Sequence, residues 1–303
     1  MISPILITGA NGHLGRRLIA TLPSSYAVDA LVRSRRAEET LLTHVGDREG
    51  LNVTIADPRD ADAIVDVGRQ CGSVVHLIGT IQETRGSAYA DADEKPAQAL
   101  SNATSRLALK QIIYLSILGT DPASSSRCLR SRAMAEEILI SSPTAVAVIR
   151  VPMVVGEKDR ASLALARRAA AKRVVLFRGT SLEQPIYAGD VVAAIINMLK
   201  APAPVDQVFD LAGPTSLTQR DLILRAAALR NNRPSIYSLP LFLGFALARI
   251  LELSQRNPRL TREMLRVLDH DDAIDPGSAA AALNIDLTPL DQTLQRCVVN
   301  RLP

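Results

Sequence analysis

Apolar residues in the first half of the chain fall into short unbroken runs separated by stretches of helical character, beginning with Ile5, Leu6 and Ile7. A strand buried on both faces of a parallel sheet needs runs of this kind, because helices cover it from both sides. The pattern predicts strands at 5–7, 26–32, 51–56, 74–79, 112–116 and 145–150. Between them it predicts helices from residue 16, from near residue 60, over 87–108 and over Arg127–Ile140, with Pro96 starting, bending or interrupting the third. Strand and helix alternate throughout, which predicts an α/β fold built on a doubly wound parallel sheet. Beyond Pro152 the pattern loosens: a helix at 162–173, a strand at 174–177, a helix at 191–200 that Asp190 could cap, and a strand at 208–211 ended by Ala212-Gly213-Pro214. Helices follow at 218–230, 240–254, 260–268 and 288–300. The expected division is a sheet domain over 1–212 and a smaller, mostly helical C-terminal lobe over 213–303.

The turns between these elements carry the chemistry. Gly9, Gly12 and Gly15 recur every third residue between the first strand and the first helix. Glycine there lets the backbone turn sharply, admits a diphosphate and lets the helix pack closely on the strand. The helix start supplies unpaired amides and a positive dipole end. A dinucleotide site follows from that placement. In such folds the tip of the second strand meets the adenosine ribose, where a carboxylate suits NAD and arginine accommodates the 2′-phosphate of NADP. Here the strand ends in Val32-Arg33-Ser34-Arg35-Arg36, and Asp29 lies too early for the role. Arg33, Arg35 and Arg36 favour NADP(H) and leave NAD(H) open; a solvated basic loop is the other reading. Asp57, before Pro58, is placed either to accept from the adenine amine or to cap the helix near Asp60. Gly79 falls where backbone would pass a cofactor ribose, and Ser116 ends its strand on the side where open sheets bind ligands. His76, flanked by apolar residues, reads as a core histidine.

Composition narrows the partners. At 303 residues, with 47% hydrophobic and 22% charged residues, the chain has a globular make-up. Its net charge of +4 is scattered, and four Phe and five Tyr give little for stacking bases, so nucleic acid is not an expected partner. Cys71, Cys128 and Cys297 lie far apart, outside any metal-ligand spacing, which suits a reducing compartment and predicts no metal. A first strand that begins within five residues predicts no signal peptide, and no apolar stretch approaches the roughly 20 residues that span a bilayer. The expected location is cytoplasmic. The stretch 239–253 is nearly apolar all round, with Arg249 and Glu252 marking one polar edge. It reads either as a helix packed on the lobe or as a surface for a membrane-peripheral complex or protein partner.

The TGANGHLG stretch at 8–15, Asp57, HLIG at 76–79, YLS at 114–116 and RVPMVVG at 150–156 occur in one order. Together they resemble the extended and atypical branches of the short-chain dehydrogenase/reductase superfamily. HLIGTIQE at 76–83, PIYAGDV at 185–191, DLAGP at 210–214 and PRLTREML at 258–265 are similar to a group related to the dehydrogenase-like accessory subunit of respiratory complex I. The resemblance implies a Rossmann-like sheet of about seven parallel strands binding NAD(P)(H), with residues 151–190 partly lining a substrate cleft. It implies cofactor contacts from Thr8, Gly9, Asn11, Gly12, His13, Leu14, Gly15, Asp57, Pro58, Leu77, Ile78, Gly79, Ser116, Arg132, Pro152 and Val154.

Redox members of that superfamily use Ser, Tyr and Lys. Their tyrosine and lysine stand one helical turn apart; the lysine holds the ribose and lowers the tyrosine pKa. Ser116 matches the serine, but Cys128 occupies the tyrosine position and Arg132 the lysine position, with Glu136 following. Arg132 keeps a permanent charge that can hold ribose hydroxyls or phosphate. A thiol is a weak donor and shorter than a phenol by roughly 4 Å on standard bond lengths, so Cys128 is a poor proton carrier. It fills space in an inactive site or, as a thiolate beside Arg132, serves as nucleophile or redox sensor. Two function classes remain. One is a protein that holds NADPH in a structural, assembly or redox-sensing role. The other is an NADPH-dependent reductase or epimerase-like enzyme, acting on a small carbonyl, quinone or sugar-type substrate through water, Ser116 or a lobe residue. The missing dyad inclines the reading to the first.

Overall fold

A computed structural model of the chain describes residues 3–83, 86, 88–255, 260–267 and 270–299. Residues 258 and 259 of the PRLTREML stretch, and the last residues of the predicted helices 260–268 and 288–300, lie outside the described residues. In chain order the first elements are β1 (Ile5–Thr8), α1 (His13–Thr21), β2 (Val28–Val32), α2 (Arg35–Val45), β3 (Leu51–Ile55), α3 (Ala61–Gly68) and β4 (Ser73–His76). Then come α4 (Tyr89–Ala92), α5 (Glu94–Thr104), β5 (Gln111–Ile117), α6 (Arg127–Ile140), β6 (Ala145–Val151), β7 (Val154–Val155) and α7 (Arg160–Ala170). The remainder runs β8 (Arg173–Phe177), β9 (Leu182–Glu183), β10 (Ile186–Tyr187), α8 (Ala188–Lys200), β11 (Gln207–Asp210), β12 (Leu217–Thr218) and α9 (Gln219–Ala228). It closes with β13 (Ser235–Leu239), α10 (Leu241–Ser254), α11 (Arg262–Val267), α12 (Gly277–Ala282), α13 (Leu290–Leu294) and a π turn at Gln295–Val299.

Seven strands form the main sheet in the order β11-β6-β5-β4-β1-β2-β3, a doubly wound parallel arrangement. Strand order reverses beside β1, which pairs with β2 on one side (Ile5↔Val28) and β4 on the other (Ile5↔Ser73). In sheets of this order, ligands bind outside the strand C-termini at such a reversal. Leu6, Val74, Ile112 and Tyr114 pack under Ala97, Leu100 and Ala103 of α5 and Ala135 and Leu139 of α6. Each large side chain buried this way contributes about 1.5–3 kcal/mol. Polar residues set the helix starts. The Ser34 hydroxyl accepts from the Ala37 amide, Asp60 from Asp62 and Ala63, and Ser126 from Leu129. The single helix expected over 87–108 is broken at Asp93, and Pro96 lies in the first turn of α5, where a missing N–H costs nothing.

Contacts divide the chain into two units interleaved in sequence: Met1–Arg150 with Val192–Phe209, and Val151–Val191 with Asp210–Pro303. Residues 213–303 are thus joined in the second unit by 151–191. That unit holds helices and three small strand pairs: β7 with β10 and β8 with β13, both parallel, and β9 with β12, antiparallel. Its core gathers Val155, Leu165, Leu222, Leu290 and Val298. Asp190 does not cap α8 as expected. The helix starts at Ala188, and the Asp190 carboxylate instead accepts from the Thr288 amide at 2.8 Å and its hydroxyl at 2.7 Å. Helix α10 is packed on one side and open on the other: Gly244 and Ala248 are buried, the former facing Phe177 and Leu265, while Phe242, Ile250 and Leu253 are 67%, 62% and 80% exposed. No helix among the described residues is long and apolar enough to cross a membrane.

His76 is a core histidine, as expected, with 1% exposure and its Nδ1 2.8 Å from the Thr8 hydroxyl. Burial, reinforced by the charge of Arg132, pushes its pKa down from 6.5 to about 3. Below pH 6.5 the unfolded chain therefore takes up a proton that the folded chain refuses, so stability is lost as pH falls toward 3. A His76→Gln protein should lack this share of the acid loss, up to about 1.4 kcal/mol per pH unit. Urea melts between pH 4 and 7 measure it; parallel slopes for variant and wild type would contradict the assignment.

Candidate dinucleotide site

The loop after β1 is built by the absence of side chains. Gly9 has φ +73°, and a Cβ there would lie 2.9 Å from the Leu77 carbonyl carbon; at Gly15 it would lie 2.6 Å from the carbonyl oxygens of Gly9 and Ala10. Neither position admits another residue without moving backbone. The Gly12 amide closes the turn on Gly9 at 2.9 Å, and the Arg16 amide reaches the Gly12 carbonyl at 3.0 Å, so α1 begins with exposed Gly12 as an uncovered N-cap. Amides at 13–15 have no intrahelical acceptor, and the helix dipole adds to them, which makes an anion cradle. Asn11, His13 and Leu14 are half-buried around it. Thr8, by contrast, is fully buried and turned to His76 rather than to the cradle. Arg16 is braced against α2, with Nη1 2.5 Å from His44 Nε2.

Toward β2 and β3, the basic segment is a helix start and not a loop. Arg33 ends the β2 side, Ser34 caps α2, and Arg35 and Arg36 are its first two residues. Arg35 pairs with Glu38 at 3.3 Å, an exposed contact worth well under about 1 kcal/mol. The guanidinium groups of Arg33 and Arg36 make no hydrogen bond or ion pair among the described residues. Asp57 does not cap α3; Asp60 does. The Asp57 carboxylate is held by Arg59, at 2.9 Å from Nε and 2.7 Å from Nη2, and the Arg59 side-chain bond keeps it below the usual carboxylate range. Pro58 is half-buried beside it.

At the C-termini of β4 and β5, three groups of interest are engaged by protein. The Ser116 hydroxyl, 2% exposed, donates to Glu136 Oε1. Arg150 in turn grips Glu136, with Nε at 3.0 and 3.1 Å and Nη2 at 2.5 Å. Cys128 is fully buried, and its thiol points at the Thr80 carbonyl at 3.6 Å, the role of a protonated donor rather than a thiolate. Arg132, 7% exposed, directs Nη1 to the Tyr114 hydroxyl at 3.0 Å and to the carbonyls of Ile78 and Leu115 at 3.3 Å each. Its Nε lies 3.4 Å from Asp93, whose carboxylate also accepts from the Thr80 amide at 3.3 Å. Its Nη2 lies over Gly79, where any side chain would overlap the guanidinium. Burial opposes the charge on Arg132, but Tyr114 and Asp93 outweigh it, so the group stays protonated. Burial likewise raises the pKa of Asp93 against the pull of Arg132.

The model of the NAD dependent epimerase/dehydratase family matches residues 5–212. The chain belongs to that family. It has the NAD(P)-binding fold of the extended short-chain dehydrogenases. Over 255 residues it is 30% identical to NADH dehydrogenase (ubiquinone) 1 alpha subcomplex subunit 9, mitochondrial, of Arabidopsis thaliana, a match spanning 82% of this chain and 63% of that protein. The chain thus covers less than two thirds of that relative's length. The Mus musculus counterpart is 27% identical over 293 residues, 94% of this chain and 77% of the relative. Among solved structures, an Escherichia coli NADPH-dependent quinone oxidoreductase complexed with NADPH aligns at TM-score 0.73 and 19% identity, over 96% of this chain and 98% of that one. A UDP-glucuronic acid 4-epimerase from Bacillus cereus, in complex with UDP-glucuronic acid and NAD, aligns at 0.72 and 15% identity over 97% of each chain. At those identities the likeness is one of fold.

Within this family fold the first unit brings together the glycine loop, Leu77 to Gly79, Ser116, Cys128 and Arg132. Pro152 and Val154 belong to the second unit. Asp93, Tyr114 and Glu136 were not anticipated as site residues. Glu136 closes the same helix motif as Cys128 and Arg132, and that spacing was the available signal; Asp93 and Tyr114 reach Arg132 only through tertiary packing. Among the described residues no cluster of His, Cys, Asp or Glu suits a metal. Replacing Arg132 with Met would leave Asp93 buried without its cation and should cost about 3–5 kcal/mol. Because a lone buried carboxyl keeps its proton to higher pH than the unfolded chain does, the variant should lose further stability as pH rises from 4 to 8. Urea titration at those pH values checks both, and a variant as stable as wild type with a flat profile would contradict the buried pair.

Proposed function

We propose that this chain is a dinucleotide-holding protein that binds NADP(H) without carrying out ordinary hydride transfer, and that it serves as a structural or assembly component of a larger complex. One observation carries the reading: an open phosphate cradle lies in the same unit as Ser116, Cys128 and Arg132, all three of which are engaged by protein. Proton delivery to a substrate oxygen requires a donor within hydrogen-bond reach. Ser116 has one proton and gives it to Glu136; Cys128 is buried. Arg33 and Arg36, whose guanidinium groups make no hydrogen bond or ion pair among the described residues at the β2 tip, support a preference for the 2′-phosphate. The similarity to accessory subunits of NADH dehydrogenase and the exposed apolar face of α10 support a partner.

The second reading is an NADPH-dependent oxidoreductase or epimerase-like enzyme with an unusual proton donor, favoured by family membership and by Ser116 at the β5 end. The same two measurements separate the readings. Calorimetry should give NADPH about tenfold tighter than NADH, since an arginine–phosphate contact is worth on the order of 1.5–3 kcal/mol. Purified protein should show no NADPH oxidation with quinones, aldehydes or ketones. Turnover that survives Cys128→Ala would establish the enzyme reading, and tighter NADH binding would remove the role given to the arginines.

A further inference from the structure

We propose a second ligand site on the first unit, at the sheet edge away from the glycine loop, that takes a small organic phosphate monoester. It goes beyond the dinucleotide reading and stands without it. Strands β1, β4 and β5 run parallel, so their N-terminal ends share one edge. A hollow of about 340 Å³ opens there, walled by Ile5, Ser73 and Gln111 from the three strand starts, by Tyr26, and by the chain over 199–204. That volume lies in the range that small-molecule sites occupy. The hollow is held in shape. Gln111, 4% exposed, pins the 199–204 wall at both ends: its Nε2 donates to the Met198 carbonyl at 3.2 Å, and its Oε1 accepts from the Val205 amide at 3.3 Å. Pro202 and Pro204 stiffen the stretch between. At Gly72 a Cβ would come 2.8 Å from the Ser3 Cβ, so glycine lets Ser3 close against the floor.

The polar groups around this hollow are unmatched by protein. Tyr26 is only 7% exposed, yet its hydroxyl has no hydrogen-bond partner among the described residues and is not sealed from solvent, so it opens on the hollow. The hydroxyls of Ser3 and Ser73 and the ammonium groups of Lys110 and Lys200 line the same space, and none has a partner among the described residues. No carboxylate of the described residues lines it. Lys200 lies in the last turn of α8, where the helix dipole by itself favours a cation, but the dipole accounts for neither Lys110 nor Tyr26. Cations and hydroxyl donors gathered without acceptors call for an anion rich in oxygen. A phosphate monoester carries a charge of about −1.5 to −2 and three strong acceptor oxygens. Its organic part meets Ile5, Leu199 and the two prolines.

Calorimetric titration of the full chain with phenyl phosphate tests the proposal. Wild type should bind it, and the exposed pair Lys110→Gln/Lys200→Gln should weaken binding by about tenfold or more, since two charge-assisted contacts are removed. Tyr26→Phe, which keeps the ring and removes only the hydroxyl, should weaken it by about fivefold. Phenyl phosphate that binds wild type and both variants alike is held elsewhere, the glycine loop included, and overturns the proposal, as does the absence of binding. Neither outcome touches the dinucleotide reading, which titration with NADPH decides separately.

Discussion

A guanidinium buried at the ends of β4 and β5 governs what this site can do. Taking a charge out of water is costly unless its donors are satisfied and a counter-charge lies near. Arg132 meets most of that demand: Nη1 has acceptors in Ile78, Tyr114 and Leu115, and the Asp93 carboxylate lies 3.4 Å from Nε as counter-charge, although Nε itself makes no hydrogen bond among the described residues. Those partners come from the segment after β4, from β5 and from the residue between α4 and α5. One side chain on α6 therefore ties three pieces of chain together. A lysine has a single nitrogen and could not serve these acceptors from one plane; the forked guanidinium can. At the position that the superfamily resemblance matches to a lysine, Arg132 forms a buried crosslink.

Beside that node runs a second chain of polar contacts, Ser116 to Glu136 to Arg150. Both networks are anchored on α6, one helical turn apart at Arg132 and Glu136. Buried polar groups held in such networks are hard to redirect, because each group turned toward a ligand strands another. The glycine loop is the opposite kind of surface. Its amides at 13–15 have no intrahelical acceptor, and Gly9 and Gly15 leave clearance that one added carbon would remove. The unit thus joins an open anion cradle to a closed reacting end.

Much of the sheet was legible because buried parallel strands are local signals. Ile5 to Ile7 and the glycine triplet announce both β1 and the cradle within a dozen residues. Helix Arg127–Ile140 begins and ends where the pattern places it, helped by the Ser126 cap. Other features were illegible for physical reasons. Strand β13 reads Ser-Ile-Tyr-Ser-Leu, largely exposed, and exists because β8 lies alongside. Asp190 resembles a helix cap until Thr288, far along the chain, claims its carboxylate. In the site, the sequence marked Ser116, Cys128 and Arg132 as positions, but not the orientation of their side chains. That orientation depends on Asp93, Tyr114 and Glu136, which only tertiary packing brings to them.

The most direct measurement is a crystal structure of the full chain with NADPH bound. We expect the diphosphate within hydrogen-bond reach of the amides at 13–15, Ser116 still on Glu136, and Arg132 Nη1 still on the carbonyls of Ile78 and Leu115. Arg132 swung out of its buried seat onto the nicotinamide ribose, with Ser116 turned from Glu136 toward the ring, would contradict the closed reacting end.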